Sequence, residues 1–235
     1  MSDKKKELKL SVIMPVYNEE KTVLEVVERV MKVPLDIELV IVNDCSSDGT
    51  AEELKKLNGR ENITVIHHPH NQGKGAGIRS AQKVITGDVM IIQDADLEYS
   101  PEEFTKLFRL FQEEKADVVY GSRYSGTELL VDTFWHYMGN KVLTSYSNIL
   151  SNLHLTDMET CYKMIRADIF KEIDIECNCF GFEPEVTAKL AKQNIKIWEV
   201  PINYEARRFD EGKKIGWRDG VKAFYYITKY NLFTR

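Results

Sequence analysis

Short runs of apolar residues alternate with amphipathic stretches along the first half of the chain. The runs predict strands at 10–16, 37–42, 63–66, 88–92 and 117–120. The stretches between them have the three-to-four-residue apolar spacing of helices. These helices are predicted near 19–31, 48–57, 75–85 and 101–114. Continuous apolar strands joined by helices indicate an α/β fold with a doubly wound, mostly parallel sheet and helices on both faces.

The second half of the chain has a looser pattern and forms a C-terminal extension of the sheet. Helices are predicted near 134–152 and 183–193, a strand at 196–200 and a closing helix from about Trp217. One face of the closing helix is apolar or aromatic and holds Trp217, Val221, Phe224, Tyr225 and Thr228. The chain contains no internal repeat or linker, so we expect residues 1–235 to form a single domain with halves at 1–124 and 125–235.

Polar clusters follow the five predicted strands, at the edge where ligands bind in sheets of this kind. The sharpest is Asp94-Ala95-Asp96, in which two carboxylates leave a buried strand and Glu98 comes two residues later. Mg²⁺ and Mn²⁺ prefer hard oxygen ligands and complete their shells with substrate phosphates. The sequence therefore predicts a divalent-metal site at Asp94, Asp96 and Glu98.

Two other clusters can contact a nucleotide. Asn18 and Glu19 follow the first strand and Asp44 follows the second, where they can hydrogen-bond a nucleobase and ribose. The alternative for the second cluster is helix capping by Ser47 or Asp48.

The glycine-rich segment at 71–75 lets backbone approach a ligand, and Lys74 within it can meet a phosphate. Three nearby histidines have poor spacing for a metal site and are interpreted as part of a solvated loop. They are His67, His68 and His70.

Arg123 follows the fifth strand, where its guanidinium can hold a diphosphate or pair with the metal-site carboxylates. On the acceptor side, Asp157 and Glu159 are candidate general bases, with a salt bridge to Lys163 or Arg166 as the structural alternative.

Charge and composition narrow the class of partner. The net charge is −5, which disfavours a nucleic-acid binder, yet residues 205–235 carry +4 beside the aromatic closing helix. That end of the chain can contact anionic lipid headgroups, or its aromatics can pack on the sheet instead. We find no bilayer-spanning run and no signal-peptide core, so we expect a cytoplasmic protein whose four cysteines are reduced thiols.

The ordered motifs resemble glycosyltransferase family 2, in particular its dolichyl- and polyprenyl-phosphate sugar synthases. The matching segments are 12–19, 42–50, 93–97, 121–124, 199–202 and the loop from Arg207 to Lys214. The resemblance implies a GT-A fold, a nucleotide-sugar donor, a divalent metal ion and inversion at the anomeric carbon. It also implies that the first half of the chain binds the donor and the second half the acceptor.

The resemblance assigns roles to individual residues. It implies a donor site at Pro15, Tyr17, Glu19, Asp44, Lys74, Asp94, Ala95 and Asp96. It places Asp157 in the region of the family's acceptor-side acid. Around the donor and acceptor phosphates it implies three cations, namely Arg123, Arg207 and Lys214.

These residues predict an inverting, metal-dependent hexosyltransferase that uses a UDP- or GDP-linked sugar and a polyprenyl or dolichyl phosphate. The alternatives are a family 2 transferase with a hydroxyl acceptor and a catalytically silent nucleotide-sugar sensor. A lipid-phosphate acceptor needs little help from a base, so Asp157→Asn is then expected to keep appreciable turnover while Arg207→Ala loses most of it. A hydroxyl acceptor predicts the reverse ranking. A nucleotidyltransferase is disfavoured because its glycine- and arginine-rich N-terminal loop is missing.

Overall fold

The computed structural model describes residues 8–126, 133–179, 181–205 and 217–234. Within these residues the strands are β1 (Lys9–Val16), β2 (Asp36–Asn43), β3 (Ile63–His67), β4 (Val89–Ile92), β5 (Val118–Ser122), β6 (Lys163–Arg166) and β7 (Ile197–Pro201). The helices are α1 (Val23–Lys32), α2 (Thr50–Lys55), α3 (Lys74–Gln82), α4 (Phe104–Gln112), α5 (Phe134–Ser151), α6 (Ala167–Glu172), α7 (Phe182–Ala191) and α8 (Trp217–Leu232). A short 3₁₀ turn at Pro101–Glu103 leads into α4.

All these strands join one sheet in the order β3-β2-β1-β4-β6-β5-β7. The pairs β1–β2, β1–β4, β2–β3 and β5–β7 are parallel, whereas β6 runs antiparallel to both of its neighbours. The predicted α/β fold with a mostly parallel sheet is therefore confirmed, and the carboxyl ends of β1, β2, β3 and β4 share one edge.

The strand β6 and the helix α6 were not predicted from the sequence. Lys163-Met164-Ile165-Arg166 is only four residues long and has a charged residue at each end, so it lacks the apolar run of the other strands. Its central residues nevertheless have no solvent exposure, because β6 lies between β4 and β5 in the middle of the sheet. Tertiary position overrides the weak local pattern here.

The apolar runs are buried on both faces of the sheet. Successive residues of a strand point to opposite faces, and Leu10, Val12, Ile13 and Met14 of β1 all have no exposure. The residues of β4 are likewise 2% exposed or less. Helices must therefore cover both faces, which is the packing that a doubly wound sheet requires.

The start of α3 packs against the loop that precedes α7. The amide of Gly75 donates to the carbonyl oxygen of Asn178 at 3.0 Å. A Cβ on Gly75 would lie 2.0 Å from the Cys177 carbonyl oxygen, and one on Gly73 would lie 2.2 Å from the Asn178 oxygen. The sequence suggested that these glycines let the backbone approach a ligand. In the structure the space beside them is filled by the backbone of the chain's own loop.

Membrane-spanning helices are absent from the described part of the chain, since none of its helices combines the necessary length and hydropathy.

The contact at Gly75 predicts a marked loss of stability when a methyl group is added. Gly75→Ala is expected to lower the free energy of unfolding by about 2–3 kcal/mol, because a backbone carbonyl must move to make room. The matched control is Gly139→Ala in α5, where nothing lies within 4 Å of the added Cβ. Urea unfolding is expected to show Gly139→Ala unchanged or stabilised by about 0.5–1 kcal/mol. Equal effects of the two substitutions would contradict the tight contact.

Candidate active site

The loops at the carboxyl edge contain residues in the left-handed backbone region. After β1, β2, β3 and β4 come Asn18 (φ 55°), Cys45 (φ 57°), Gly73 (φ 95°) and Leu97 (φ 65°). Positive φ is uncommon for residues other than glycine, and such strain concentrates at functional sites. Three loops with such a non-glycine residue, and a fourth in which Gly73 adopts the same region without strain, meet at one edge, which marks the edge as the candidate site.

The loops after β1 and β2 hold each other in place. The Asn18 side-chain oxygen accepts a hydrogen bond from the Ser47 amide at 2.8 Å, and the Asn18 amide donates to the Ser46 hydroxyl at 3.0 Å. The N-cap of α2 is Gly49, where Ser47 or Asp48 was predicted, and Asp48, one residue earlier, accepts from the backbone amide of Thr50 at 3.0 Å. Asn18 is therefore engaged with the neighbouring loop.

The first-strand residues assigned to the donor lie around this pair of loops. Tyr17 is 40% exposed at the end of β1, and Pro15 is half-buried. The Glu19 carboxylate lies 2.9 Å from the Thr22 hydroxyl oxygen. Exposure of the Tyr17 ring leaves a flat aromatic surface at the edge on which a base can stack.

Asp44 is buried and organises the loop after β3. Its oxygens accept hydrogen bonds from the amides of Gln72 at 2.9 Å and Gly73 at 2.7 Å. His68 Nδ1 lies 2.7 Å from the same carboxylate, and His68 Nε2 lies 2.9 Å from the Ser80 hydroxyl. His68 is 8% exposed, so its interpretation as part of a solvated loop was wrong: the ring bridges Asp44 to α3.

The Asp94-Ala95-Asp96 turn is held by backbone contacts. The Thr22 hydroxyl donates to the Ala95 carbonyl at 2.7 Å, and the Gln93 amide group donates to the Asp94 carbonyl at 2.9 Å. Gln93 has no exposure, and its side-chain oxygen accepts from the Tyr162 hydroxyl at 2.6 Å. Buried side chains therefore fix the turn and leave both carboxylates half-buried at the edge.

Glu98 lies at the far side of the turn. Its carboxylate accepts a hydrogen bond from the Tyr204 hydroxyl at 2.7 Å, and its amide donates to Asp96 at 3.2 Å. The ring of Tyr204 also lies 5.1 Å from the guanidinium of Arg123. Glu98 thus connects the turn to the segment that follows β7.

Lys74 brings Asp94 together with Glu183, which the sequence had not singled out. The Lys74 ammonium lies 3.0 Å from Asp94 Oδ1 and 3.0 Å from Glu183 Oε1. Burial lowers the pKa of Lys74, but the charges of Asp94, Cys161 and Glu183 raise that pKa well above its usual value. Glu183 lies in the first turn of α7, 109 positions after Lys74, so no local pattern could have paired the two residues.

Arg123 and Asp157 form a buried two-pronged ion pair. Arg123 Nε and a terminal nitrogen donate to the two carboxylate oxygens at 2.7 and 2.8 Å, and Asn140 donates to one of them at 3.1 Å. Asp157 has no exposure. Burial raises the pKa of Asp157, but Arg123 and Asn140 more than offset this and hold the pKa below its usual value.

This pairing differs from both sequence alternatives. The structural alternative for Asp157 was a salt bridge to Lys163 or Arg166, and the alternative for Arg123 was a pair with the metal-site carboxylates. In the structure Asp157 and Arg123 pair with each other instead. The Asp157 carboxylate accepts four hydrogen bonds, two from the Arg123 guanidinium, one from the Arg123 backbone amide and one from Asn140, and a carboxylate so engaged is a weak proton acceptor. The geometry therefore favours Asp157 as the residue that positions Arg123, and its assignment as a base stays a prediction.

Glu159 and Lys163 are close enough to the Arg123–Asp157 pair for their charges to interact with it. Glu159 Oε1 is buried and has no hydrogen-bond partner among the described residues. Burial and the nearby Glu183 raise the pKa of Glu159 to about 7. The Lys163 ammonium has no exposure and donates to the carbonyls of Met158, at 2.8 Å, and Thr160, and burial lowers its pKa.

The donor atoms at the turn fit a divalent cation that is shared with a substrate. No group of three or more His, Cys, Asp or Glu side chains with metal-binding geometry occurs in the described ranges. Mg²⁺ is usually held by one or two carboxylates plus substrate phosphates and waters, so Asp94 and Asp96 meet this requirement without a third ligand.

Two of the positively charged side chains that the resemblance assigned to the phosphates, Arg207 and Lys214, lie outside the described residues.

Comparison with known families identifies the fold and its relatives. The family model of glycosyl transferase family 2 matches residues 11–174. An undecaprenyl-phosphate mannosyltransferase of Micrococcus luteus is 29% identical over 238 residues, which cover 97% of this chain and 96% of that protein. A dolichol-phosphate mannosyltransferase of Pyrococcus furiosus is 27% identical and is covered over 60% of its length.

A third curated relative is the low-salt glycan biosynthesis hexosyltransferase of Haloferax volcanii. It is 28% identical over 218 residues, which cover 89% of this chain. The chain spans about half, 51%, of that relative's length.

Solved structures share the fold at lower sequence identity. Glucosyl-3-phosphoglycerate synthase of Mycobacterium tuberculosis, crystallised with Mn²⁺, uridine diphosphate and phosphoglyceric acid, superposes with a TM-score of 0.73 at 15% identity, over 97% of this chain and 80% of that chain. TarS of S. aureus, crystallised with UDP-GlcNAc, gives a TM-score of 0.64 at 20% identity, over 97% of this chain and 67% of that chain. These similarities, together with the sheet topology, confirm the GT-A-type fold.

The buried Oε1 atom and the raised pKa of Glu159 predict an unusual dependence of stability on pH. In the unfolded chain this carboxyl ionises near pH 4.3, whereas in the folded protein its pKa is about 7. Between these values the folded state holds the extra proton, so this group's contribution to stability falls as the pH rises. We expect Glu159→Gln to become progressively more stable than the wild type from about pH 4.5 to 7 in urea unfolding. The exposed Glu172→Gln serves as control. If the difference in unfolding free energy between Glu159→Gln and the wild type stayed constant over this pH range, the raised pKa of Glu159 would be refuted.

Proposed function

This chain belongs to glycosyl transferase family 2, and on that premise we propose that it transfers a hexose from a UDP- or GDP-linked donor to a polyprenyl or dolichyl phosphate. The observation that carries the proposal is the Arg123–Asp157 pair, because the acid at the acceptor side is committed to holding a cation. A phosphate acceptor is already anionic near neutral pH and needs a cation beside it more than a base. The names of the Micrococcus and Pyrococcus relatives support this acceptor class.

The donor would lie across the edge formed by the loops after β1, β2, β3 and β4. Tyr17 and the Asn18–Ser47 contact would border the nucleoside, and Asp44 would act mainly by shaping the loop that presents Lys74. Ala95, whose carbonyl is fixed by Thr22, would keep Asp94 and Asp96 facing the diphosphate. A bound Mg²⁺ or Mn²⁺ would supply Lewis-acid stabilisation of the charge that develops on the diphosphate.

The reaction would be an in-line displacement with inversion. An oxygen of the acceptor phosphate forms a bond to the anomeric carbon as the bond from that carbon to the diphosphate breaks, and the nucleoside diphosphate leaves. Arg123, and by resemblance Arg207 and Lys214, would hold the anionic acceptor in line. Asp157 would keep the Arg123 guanidinium in one orientation, so that no reorganisation is needed when charge moves.

A hydroxyl acceptor is the second candidate, and Glu159 is the observation that favours it. A carboxyl whose pKa is near 7 is well matched to accept a proton from an attacking hydroxyl. Asp157→Asn is a poor variant for distinguishing the two acceptors. The substitution would leave Arg123 buried beside a neutral partner and is expected to cost about 3–5 kcal/mol of stability. Direct comparison of acceptors is the sharper test.

The activity test uses the full chain with Mg²⁺ or Mn²⁺, a panel of UDP- and GDP-hexoses, and polyprenyl phosphate in detergent. We expect a glycosylated lipid phosphate by mass spectrometry and stoichiometric nucleoside diphosphate. Asp96→Asn is expected to lower turnover by about 10²-fold or more, since charge stabilisation at the diphosphate is lost. The exposed Asp168→Asn is the matched control. Transfer to saccharides or glycerol derivatives in place of lipid phosphate would select the hydroxyl acceptor, and donor binding without turnover would select the sensor.

A lipid acceptor also requires contact with a membrane, and the surface of α5 and α8 is suited to it. Among the described residues, large exposed apolar side chains concentrate on these helices: Phe134, Trp135, Tyr137, Val142, Ile149, Val221, Phe224, Tyr225 and Leu232. The two helices pack together through Tyr146, whose ring lies 5.4 Å from that of Phe224. No acidic residue occurs in α5, so its charge suits an anionic bilayer, and its Asn140 reaches Asp157 at the acceptor side. We propose that this surface, the α5–α8 surface, contacts the cytoplasmic face of a membrane.

Flotation with vesicles tests the α5–α8 surface. The wild type is expected to float with phosphatidylcholine–phosphatidylglycerol vesicles, and the double variant Trp135→Ser/Ile149→Ser to remain at the bottom of the gradient. Trp198→Ser, which removes an aromatic side chain that is 45% exposed on β7, is the control and is expected to float. The double variant should retain activity on a short water-soluble isoprenyl phosphate. Flotation of the double variant, or a concentration-dependent dimer that its substitutions abolish, would contradict lipid contact at this surface.

A further inference from the structure

Lys74 is placed between two acids that belong to different parts of the fold. Its ammonium lies 3.0 and 3.2 Å from the two oxygens of Asp94 and 3.0 Å from Glu183 Oε1. The side chains of Lys74 and Glu183 are 13% and 7% exposed. A cation that is this far removed from water needs its partners, because an unpaired buried charge costs several kcal/mol.

The ammonium uses the same Asp94 oxygens that a divalent cation requires. A second positive charge within about 4 Å of the ammonium would be repelled by it, so the ammonium and a divalent cation compete for Asp94. The backbone of Lys74 is fixed at the start of α3 by the contacts of Gly73 and Gly75 with Asp44 and Asn178. Only the flexible side chain of Lys74 is free to move.

We propose that Lys74 is an exchangeable counter-ion: its ammonium neutralises Asp94 in the donor-free protein and, while still paired with Glu183, turns from Asp94 to the donor diphosphate when a divalent cation binds. The inference rests on the proposed function and adds roles to it for Lys74 and Glu183. Glu183 is the positioning residue, because it keeps the ammonium paired after Asp94 has been released. The motion requires rotation about side-chain bonds only, with Glu183 in contact throughout.

This exchange couples the two ligands of the site. Without a diphosphate, Lys74 gives up one of its two anionic partners when the cation binds, and cation affinity is low. With a diphosphate present, the phosphate oxygens replace Asp94 as partners of Lys74, and cation affinity rises. Linkage requires the reverse as well, so the cation strengthens diphosphate binding by the same factor.

Equilibrium binding of Mn²⁺, measured by electron paramagnetic resonance of the free ion with and without UDP or GDP, tests the exchange. Lys74→Met keeps the length of the side chain and removes its charge, so it is expected to bind Mn²⁺ alone about 10-fold more tightly. The same variant should show a smaller enhancement of Mn²⁺ binding by the nucleoside diphosphate. Glu183→Gln leaves the ammonium dependent on Asp94 and is expected to weaken binding of Mn²⁺ alone.

Controls separate this mechanism from a general loss of structure. Lys189→Met removes a lysine that is 10% exposed and ion-paired to Glu185, also on α7, and should leave Mn²⁺ binding unchanged. The double variant Lys74→Met/Glu183→Gln removes the buried ammonium together with its Glu183 partner, leaves Asp94 to the cation, and should bind Mn²⁺ as tightly as Lys74→Met. Thermal melting identifies any variant that fails to fold.

The outcomes distinguish this inference from the proposed function. The exchange would be overturned if Asp94→Asn lost Mn²⁺ binding while a folded Lys74→Met bound Mn²⁺ with unchanged or weaker affinity. The proposed transferase activity would then still be judged separately, by product formation. Absence of Mn²⁺ binding by the wild type, even with UDP and GDP, would overturn it as well. Tighter binding in Lys74→Met would support it even if no glycolipid were found.

Discussion

Most of the site depends on one requirement, that charged side chains removed from water remain paired. Asp157 has no solvent exposure, and its carboxylate fixes Arg123 after β5 and Asn140 on α5. The loop that carries Asp157 is held in turn by Glu199 of β7, which accepts hydrogen bonds from the amides of Thr156 at 2.9 Å and Asp157 at 3.1 Å. Because breaking the Arg123–Asp157 pair strands a buried charge, the contacts that hold the second half together also set the geometry of the acceptor side.

On each side of the site a charged side chain is paired within the protein before any ligand binds, and the sign of that side chain differs between the two sides. On the donor side an acid, Asp94, is covered by an ammonium, and on the acceptor side a guanidinium, Arg123, is covered by an acid. Recognition at each pair therefore depends on whether a ligand can replace the resident partner with equal geometry. Such preorganised pairs stabilise charge in a transition state more effectively than mobile solvent does.

The sequence predicted the sheet and most of the edge, because buried parallel strands and the acids that follow them leave strong local patterns. It singled out Asp94, Asp96 and Asp157 as candidates, but it could not find the partners that the structure gives to Asp94 and Asp157. Glu183 and Asn140 sit in ordinary helical contexts and acquire their roles only through contacts made across the fold. His68 was misjudged for the same reason, since its burial depends on Asp44 and Ser80 from separate elements. The strand β6 was missed because its central position comes from its neighbours and not from its own four residues.

The antiparallel β6 also has a consequence for how the protein is made. As the chain leaves the ribosome, β1, β2, β3 and β4 can assemble as soon as residue 92 is available, but one edge of β4 must wait for residues 163–166. During that interval β5 has no partner either, since it pairs only with β6 and β7. An open, apolar strand edge is a site of mispairing with other nascent chains. Slow translation between codons 93 and 166 would therefore lengthen the most aggregation-prone stage of synthesis, whereas chaperone binding over the same stretch would protect it.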